Sequence, residues 1–250
     1  MNSDLPYGEA LAHQFPERVF RYYPETGSTN REAWAMAEGG APHGTLIVAD
    51  SQTEGRGRLD RKWVSPPGVN VYFSLVLRPQ IPLAVAPLVG LAASLAVARC
   101  VGLHVKWPND VVDVHGKKAA GVLSEVHAAD GQVDFLVLGV GLNVNQTNFP
   151  PELSNATSLK LHRKVDIERV GLLRSIVSSM DSWVPTVWMA RERLLGMWRR
   201  YCSMMGREVR IEGVTGRAID LRSDGALLIE TVSGQIVPVL SGDVESAEMR

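Results

Sequence analysis

The hydrophobic positions of the chain recur with two different periods, which predict strands and helices mixed along its first two thirds. Four stretches show the alternation, or the short apolar run, that is typical of strands between polar turns. They are TLIVAD (45–50), VNVYFSLVLRP (69–79), VVDVHGKKAAGVLSEVH (111–127, two strands with a turn at His115–Gly116) and VDFLVLGVGLNVN (133–145). STNREAWAMAE (28–38) has helical periodicity, and Gly39 and Gly40 mark its end.

The longest apolar stretch lies between Arg78 and Arg99, where no residue is charged. Its length would be enough to cross a bilayer. It contains Pro82 and Pro87, however, and proline is favoured in the first turn of a helix. We therefore predict a buried helix that runs from about Pro87 to Gly102, not a membrane span.

The pattern changes twice in the last third of the chain. Residues 166–204 are helical in periodicity, with a break at Pro185. From Gly206 onward, short alternating stretches are separated by Asp-Gly and Ser-Gly turns, which are typical of hairpins. We therefore predict two domains, 1–205 and 206–250, the second a small β-barrel. Because strands and helices mix and several hairpins are predicted, the expected fold class is α+β, with a mixed β-sheet flanked by helices.

The charge balance argues against a protein that coats nucleic acid. The chain has 26 Lys and Arg against 27 Asp and Glu, whereas a domain that binds nucleic acid usually carries a broad basic excess. Cys100 and Cys202 lie far apart without a CxxC pair, so neither a disulfide framework nor a zinc site is predicted. The first residues lack the pattern of a signal peptide. We predict a reducing, cytoplasmic location.

Positive charge is concentrated in one loop, GRGRLDRKW (55–63). Its four cations are Arg56, Arg58, Arg61 and Lys62. Its glycines allow the backbone to approach a ligand closely, and the arginine fork suits carboxylate and phosphate oxygens. The loop does not fit a Walker motif, because no Lys-Ser or Lys-Thr pair follows, nor a GxGxxG motif, because Asp60 stands in place of the third glycine. A solvated basic turn is the alternative.

Four other polar motifs each have a purely structural alternative. KWPND (106–110) is either a ligand-binding turn or an Asx-turn, and KKAAG (117–121) allows close contact either with a ligand or within a tight sheet. GVGLNVN (139–145) either opens so that Asn143 binds a ligand or forms a β-bulge. Thr29 and Glu32 form a capping box, unless the helix start presents its hydroxyls to a polar ligand.

Taken in their order along the chain, these motifs closely resemble those of the biotin protein ligases, also called biotin–[acetyl-CoA-carboxylase] ligases. The motifs are STN (28–30), QTEGRGRLDRKWVSPPG (52–68), KWPND (106–110), KKAAG (117–121) and GVGLNVN (139–145). The likeness is dense from about residue 25 to 145, and the pair GRGR…RKW and KWPND is its most specific part. It implies a mixed-sheet catalytic domain similar to that of class II aminoacyl-tRNA synthetases, followed by a small barrel.

The resemblance also implies a two-step reaction. Biotin and MgATP give biotinyl-5′-adenylate and pyrophosphate, and the biotinyl group then passes to one lysine of a biotin carboxyl carrier protein domain. ATP and Mg²⁺ are thus the implied cofactors, and biotin, ATP and the carrier the implied partners. Members of the family are often homodimers, although this sequence has no interface signal of its own.

By the same resemblance, Arg56, Lys118 and Asp110 are catalytic. Arg56 and Lys118 would lie where the carboxylate meets the α-phosphate, and Asp110 would orient or deprotonate the acceptor lysine or bind the metal. The residues implied in biotin binding are Ser28, Thr29, Asn30, Gln52, Gly55, Arg56, Gly57, Arg58, Trp63, Lys118 and Gly121. Those implied in binding ATP or the adenylate are Arg56, Arg58, Lys62, Asn70, Lys106, Asn109, Lys118 and Asn143.

Two features depart from the family pattern. Asp60 stands where many members have Gly or another small polar residue, which affects the expected loop conformation. Only 27 residues precede Ser28, too few for the winged helix of members that repress the biotin operon, so no sequence-specific DNA binding is expected.

Two other functions are alternatives. The first is a relative that activates lipoate or octanoate, although the hydroxyls and amide of Ser28, Thr29 and Gln52 suit biotin's ureido ring better than an acyl chain. The second is a module that binds nucleic acid through the basic loop. Its expected features, a wide basic surface or aromatic residues on a basic strand, are not found in the sequence.

Overall fold

The computed structural model describes residues 7–246, and its centre is a seven-stranded mixed sheet. The strands are β1 (Phe20–Thr26), β2 (Leu46–Gln52), β3 (Val71–Leu77), β4 (His104–Lys106), β5 (Asp110–Val112), β6 (Lys118–Ala129) and β7 (Gln132–Leu142). Their order across the sheet is β1-β2-β3-β7-β6-β5-β4. β1 and β2 are parallel and the other neighbours are antiparallel. The predicted α+β class with a mixed sheet is confirmed.

Helices pack on both faces of this sheet. They are α1 (Tyr7–Ala12), α2 (Thr29–Glu38), α3 (Pro87–Val101), α4 (Leu159–Arg163), α5 (Arg169–Trp183), α6 (Thr186–Met189) and α7 (Arg191–Tyr201). On one face, Ala33 and Ala37 of α2 pack against Ile47, Val76 and Val137. On the other face, α3 packs against β4, β5 and β6 and is itself contacted by α5, α6 and α7.

The apolar stretch between Arg78 and Arg99 forms the predicted core helix. α3 begins at Pro87 and ends before Gly102, whose φ of 67° lies in the left-handed region that favours glycine. By length and composition alone, Leu83–Val101 could cross a membrane, but most of it is buried within the protein. The burial is typical of a core helix, which is what the two prolines indicated.

A second, smaller sheet follows the helices. Its strands are β8 (Glu208–Ile211), β9 (Val214–Leu221), β10 (Leu227–Glu230), β11 (Ile236–Val239) and β12 (Glu245–Ser246). All neighbours are antiparallel, in the order β11-β10-β9-β8-β12. Within residues 7–246 the edge strands β11 and β12 do not pair with each other, so the sheet is open and the predicted closed barrel is not confirmed.

Trp107 connects the two sheets. Its indole nitrogen donates a hydrogen bond to the carbonyl oxygen of Gly225 at 3.0 Å, and its side chain is among the largest that are fully buried. The KWPND turn between β4 and β5 is therefore fixed against the smaller sheet, and the residues on either side of Trp107 are held at the junction.

Five elements were absent from the sequence-based prediction, namely α1, β1, β4, α4 and β12. β1 alternates poorly between buried and exposed positions and contains Pro24. It lies at an edge of the sheet, where a missing N–H donor is tolerated. β4 has only three residues, which are too few to show a period.

Candidate active site

A cavity of about 340 Å³ lies over β6 and β7, next to the start of α2. Most of the residues that the motifs pointed to line it. They are Ser28, Thr29, Asn30, Gln52, Arg56, Gly57, Arg58, Lys62, Trp63, Lys106, Asn109, Asp110, Lys118, Gly121 and Asn143. Gly55 and Asn70 are not part of the lining. The fold thus gathers motifs that are more than 100 residues apart in the sequence.

The start of α2 presents Thr29 to the cavity instead of using it as a cap. The Thr29 amide donates to Gln52 Oε1 at 2.8 Å, and the Thr29 hydroxyl lies 3.2 Å from the same oxygen. Gln52 Nε2 donates to Ser65 Oγ at 3.0 Å, which fixes the orientation of the amide. Glu32 accepts a hydrogen bond from Thr26 instead, at 2.7 Å. The capping box between Thr29 and Glu32 is therefore not formed, and that alternative is wrong.

Asn30 lies buried where α2 meets the sheet. Its Nδ2 donates to Glu125 Oε2 and its Oδ1 accepts from Ser74 Oγ, both at 2.6 Å. A Cβ atom at Gly139 would overlap the Asn30 side chain. Gly139 and Gly141 keep a regular register with β3 and β6, so the predicted alternative of a bulge is wrong at this point. These glycines serve the close approach of other side chains.

Trp63 forms a wall of the cavity against the glycines of the sheet. A Cβ at Gly141 would overlap its indole ring, and a Cβ at Gly121 would crowd both the ring and Lys118. Lys118 Nζ lies 5.4 Å from the centre of the ring, within the range of a cation–π contact. The apolar wall and a predicted catalytic cation are thus direct neighbours.

Lys118 and Asp110 form an ion pair at the side of the cavity, with Nζ 2.7 Å from Oδ1. They begin β6 and β5, which are joined by a short turn. Asp113 closes that turn by accepting from the backbone amides of His115 and Lys117, both at 2.9 Å. Across this hairpin Lys118 pairs with Val112 and Asp110 pairs with Gly121, so the ion pair is diagonal: the long side chain of Lys118 reaches back along β5 to Asp110.

Asn109 uses its side chain for tertiary contacts. Its Nδ2 donates to the Val122 carbonyl at 2.5 Å and its Oδ1 lies 3.4 Å from Arg58 Nη1. Lys106 donates to the Val244 carbonyl at 3.2 Å. The Asx-turn alternative therefore does not describe Asn109, because this residue ties the KWPND turn to β6 and to the basic loop.

Three arginines of the basic loop also make tertiary contacts. Arg56 Nη2 lies 3.1 Å from Glu125 Oε1, and Arg58 Nη1 lies 3.4 Å from the Gly242 carbonyl. Arg61 pairs with Asp243. A purely solvated basic turn is therefore wrong as a description of this loop.

The loop conformation explains why an aspartate is tolerated at position 60. Asp60 has a φ of 56°, in the left-handed region that glycine, asparagine and aspartate adopt more readily than other residues. Its neighbour Leu59 also has a positive φ, of 54°. A glycine would fit the position of Asp60 without strain, and aspartate is a tolerated substitute.

The cavity is strongly cationic for a protein of nearly neutral charge. Six cationic residues line it, and they come from three segments: Arg56, Arg58, Arg61, Lys62, Lys106 and Lys118. The carboxylates of the lining are Asp110 and Asp243. This excess of positive charge at one concave surface favours ligands that carry several negative charges.

The two predicted residues outside the lining support it from behind. A Cβ at Gly55 would overlap the carbonyl oxygen of Trp63, so this glycine allows the loop to fold back on itself. Asn70 is fully buried and donates to Gln146 Oε1 at 2.6 Å. It also accepts from the Val144 amide at 2.9 Å. Gln146 itself lines the cavity, so Asn70 reaches the site through another side chain.

Sequence reasoning missed several lining residues. Gln146, Phe149, Leu153, Asn155 and Ala156 belong to a segment that was predicted only as a loop, and 242–244 connect β11 to β12 of the small sheet. The loop is held at Lys118, whose amide donates to the Asn155 carbonyl at 2.8 Å. The unusual length of this loop, with little regular structure, was the signal that could have drawn attention to it.

Known proteins are similar to this chain over most of its length. Residues 22–143 match the model of the "Biotin/lipoate A/B protein ligase family", and residues 205–245 match the "Biotin protein ligase C terminal domain". The bifunctional ligase/repressor BirA of Bacillus subtilis is 36% identical over 238 residues, which cover 90% of this chain and 73% of that protein. The chain belongs to the biotin protein ligase family.

Two further relatives support the same conclusion for this biotin protein ligase. The biotin–[acetyl-CoA-carboxylase] ligase of Mycobacterium tuberculosis is 36% identical over 242 residues, which cover 88% of this chain and 86% of that protein. The biotin protein ligase of Aquifex aeolicus, solved in complex with biotin and ATP, superimposes with a TM-score of 0.75 and 33% identity, over 90% of this chain and 97% of that one. The chain is thus a ligase enzyme, and the resemblance drawn from its motifs is confirmed.

Proposed function

We propose that this ligase activates biotin with ATP as biotinyl-5′-AMP and transfers the biotinyl group to a specific lysine of a biotin carboxyl carrier protein domain, such as that of acetyl-CoA carboxylase. The observation that carries the proposal is the cavity, in which six cationic side chains surround a floor of hydrogen-bonding groups. The cations suit a carboxylate and a phosphate chain. The floor suits a neutral polar ring.

In the first step, a carboxylate oxygen of biotin forms a bond to the α-phosphorus of ATP, and the bond from that phosphorus to pyrophosphate breaks. Two anions must meet, so fixed positive charge at the meeting point lowers the barrier. We assign this role to Arg56 and Lys118, which line the same cavity from the loop and from β6. The Gly57 backbone allows the loop to approach the reacting groups, and Arg58 lies where the loop meets Asn109.

We assign the polar floor to the ureido ring of biotin. Ser28, Thr29, Asn30 and Gln52 supply hydroxyl and amide groups, which can pair with both the N–H and the C=O groups of that ring. Trp63 and Gly121 would bound the apolar tail, with Gly55 supporting Trp63 from behind.

We assign the ATP side of the cavity to the remaining predicted residues. Lys62 and Lys106 would face the phosphates, and Asn109 and Asn143 would contact the nucleoside. Asn143 is held in place by a hydrogen bond from its Nδ2 to the Thr157 carbonyl at 3.0 Å. Asn70 would act through Gln146.

The second step requires a neutral amine that attacks the acyl carbon, with loss of AMP. Asp110 is the proposed residue that orients or deprotonates this lysine. Among residues 7–246, no three His, Cys, Asp or Glu side chains cluster closely enough to hold a metal ion by themselves. Mg²⁺ would be held largely by the phosphates of ATP, whose charge it would neutralise, and a role for Asp110 as a metal ligand is the alternative to its role at the acceptor lysine.

We also propose a division of the chain into two domains. We place the boundary between the catalytic domain (1–205) and the small C-terminal domain (206–250) where the first sheet and its helices end. The C-terminal part supplies residues 242–244 to the cavity, which supports a role in ATP binding or carrier docking. A closed barrel, a homodimer and a cytoplasmic location stay predictions, and light scattering would test the dimer.

The decisive experiment is ATP–pyrophosphate exchange with biotin, lipoate or octanoate as the only acid. We expect exchange with biotin and little with the other two, because the polar floor has no partner in a plain acyl chain. Exchange that depends on lipoate or octanoate and not on biotin would identify the related acyl-adenylating ligase instead.

Duplex DNA binding at moderate salt is a separate test of the expected lack of repressor function. We expect only weak binding that declines steeply with salt, as for non-specific phosphate contacts. Tight, sequence-specific binding would contradict this expectation.

A further inference from the structure

Glu125, to which no motif pointed, lies beside the cavity without lining it. It lies on β6, on the same side of the strand as Gly121 and Leu123, because side chains alternate along a strand. Its Oε1 is 3.1 Å from Arg56 Nη2 and its Oε2 is 2.6 Å from Asn30 Nδ2. One carboxylate thus holds one donor from the basic loop and one donor from the start of α2.

The contact with Asn30 continues into the floor of the cavity. An ionised carboxylate only accepts hydrogen bonds, so Glu125 forces the Asn30 amide to point its Nδ2 outward and its Oδ1 toward Ser74. Ser74 Oγ is fully buried, 2.6 Å from Asn30 Oδ1 and 2.9 Å from Thr29 Oγ1. Thr29 in turn contacts Gln52. The side chains from Glu125 to Gln52 thus form one continuous series of contacts.

The contact with Arg56 has little value for folding. The side chain of Arg56 is 44% exposed and that of Glu125 27% exposed, and ion pairs as exposed as this one contribute little to stability. The pair matters more for the orientation of the Arg56 guanidinium than for stability. A guanidinium has several N–H groups in a rigid fork, so Nη2 can bind Glu125 while other N–H groups face an anion in the cavity.

We propose that Glu125 is a positioning residue for the adenylation step. It holds Arg56 over the cavity and fixes Asn30 and, through Ser74, Thr29, so that the anion-binding loop and the polar floor are aligned before the substrates bind. The proposal rests on the proposed function, because the quantity that it affects is the rate of biotin adenylation. Misplacing a reacting or stabilising group by about 1 Å can cost roughly 100-fold in rate.

The first test compares Glu125→Ala with Glu230→Ala. Glu230 is also a strand residue paired with an arginine, 2.7 Å from Arg217, and it lies outside the cavity. At saturating biotin, Glu125→Ala should slow single-turnover formation of biotinyl-AMP about 10- to 100-fold. It should also raise the KM for biotin several-fold. Glu230→Ala should leave both quantities unchanged, with a similar small change in melting temperature.

The outcomes of this comparison separate the two proposals. If the wild-type enzyme forms no biotinyl-AMP, the proposed function itself fails. If the wild-type enzyme is active and Glu125→Ala behaves like Glu230→Ala, the positioning role alone is overturned.

A double-mutant cycle tests whether Glu125 acts through Arg56. In an Arg56→Ala background, at saturating biotin, adding Glu125→Ala should slow adenylation by less than about 3-fold, because the group that it positions is gone. If the two losses multiply in full, Glu125 does not act through Arg56 and this part of the proposal is wrong.

If Glu125→Ala folds poorly, exchanging the amide of Asn30 and the carboxylate of Glu125 tests the same role. Asn30→Asp alone places two carboxylates in contact and should be impaired. In the double variant Asn30→Asp with Glu125→Gln, the new amide at position 125 donates to the new carboxylate at position 30. The oxygen of the same amide accepts from Arg56, so each donor finds an acceptor. Adenylation should recover at least about 10-fold over Asn30→Asp. No recovery would contradict the positioning role.

Discussion

The guanidinium of Arg61 pairs at two points with the carboxylate of Asp243, a residue 182 positions further along the chain. Nη1 is 3.2 Å from Oδ1, and Nη2 also contacts Oδ2. The neighbouring residues Gly242 and Val244 accept from Arg58 and Lys106. The segment 242–244 therefore holds the basic loop over the cavity from the side of the smaller sheet.

Removing the charge of Asp243 should increase the rate at which the enzyme loses biotinyl-AMP to solution. With Asp243→Asn, the loop is held less firmly, and we expect biotinyl-AMP to escape or be hydrolysed about 3- to 10-fold faster, while its rate of formation changes little. The pair is largely exposed, at 65% and 42% for the two side chains, so the melting temperature should hardly change. Release of labelled adenylate during a chase with unlabelled biotin measures the effect.

Glu230→Gln is the matched control for this variant, since it neutralises the carboxylate of another exposed arginine pair, one that lies on the smaller sheet and outside the cavity. Salt gives a second check. Raising the ionic strength from 0.1 to 1 M shortens the Debye length from about 10 to about 3 Å. Wild-type leakage should then approach that of Asp243→Asn, and leakage that is insensitive to both changes would show that the pair does not hold the loop.

A methyl group at Gly141 should displace Trp63. A Cβ there overlaps the indole ring, and the strand cannot move because it is paired on both sides. We expect Gly141→Ala to raise the KM for biotin at least about 10-fold, in line with an overpacking cost of about 1–3 kcal/mol. Gly196→Ala, in α7 with open space around it, should have no effect on KM. Equal KM values for the two variants would mean that Trp63 does not shape the biotin site.

The sequence could predict those parts of the fold that are set by local pattern. α2 and α3 have clear periodicity and clear ends, and both were found within one or two residues of their predicted bounds. β1 was missed because it is an edge strand with Pro24, so neither its burial nor its composition follows the usual pattern. The capping box failed for a tertiary reason, because Gln52 takes the hydrogen bonds of Thr29 that a local rule assigned to the helix end.

The site could be predicted as a set of motifs but not as a set of contacts. The order of the motifs pointed to the residues that line the cavity. The partners of Arg56 and Arg61, in contrast, are Glu125 and Asp243, which belong to no motif. Such pairs depend on how distant segments meet in three dimensions, which a local pattern does not encode.

Asn70 should matter for stability and for the position of Gln146. Asn70→Ala removes the donor to Gln146 and the acceptor for the buried Val144 amide. Leaving buried polar groups unpaired costs about 1–3 kcal/mol each, so we expect a fall in melting temperature of several degrees. Asn148→Ala, at an exposed position nearby, should change it by less than about 1 °C. An unchanged melting temperature together with a raised KM for ATP would instead support direct contact of Asn70 with the nucleotide.

Asp110→Asn should separate the two steps of the reaction. Asparagine keeps an oxygen for Lys118 Nζ, so the cation stays in place, and we expect adenylation to fall less than about 10-fold. Transfer to a carrier lysine should fall about 100-fold or more, because an amide cannot accept the proton that the lysine ammonium group must lose before its neutral amine attacks. Single-turnover adenylate formation measures the first rate, and mixing purified enzyme–adenylate complex with carrier domain measures the second.

Asp166→Asn is the matched control for Asp110→Asn. Asp166→Asn disrupts a comparable Lys–Asp pair, 2.6 Å from Lys160 and outside the cavity, and should leave both rates unchanged. If Asp110 instead serves as a metal ligand, adenylation should fall at least as much as transfer, and raised Mg²⁺ should restore it in part, because weaker binding is offset by concentration. Adenylation that is lost more severely than transfer would therefore contradict a role for Asp110 in orienting or deprotonating the acceptor lysine.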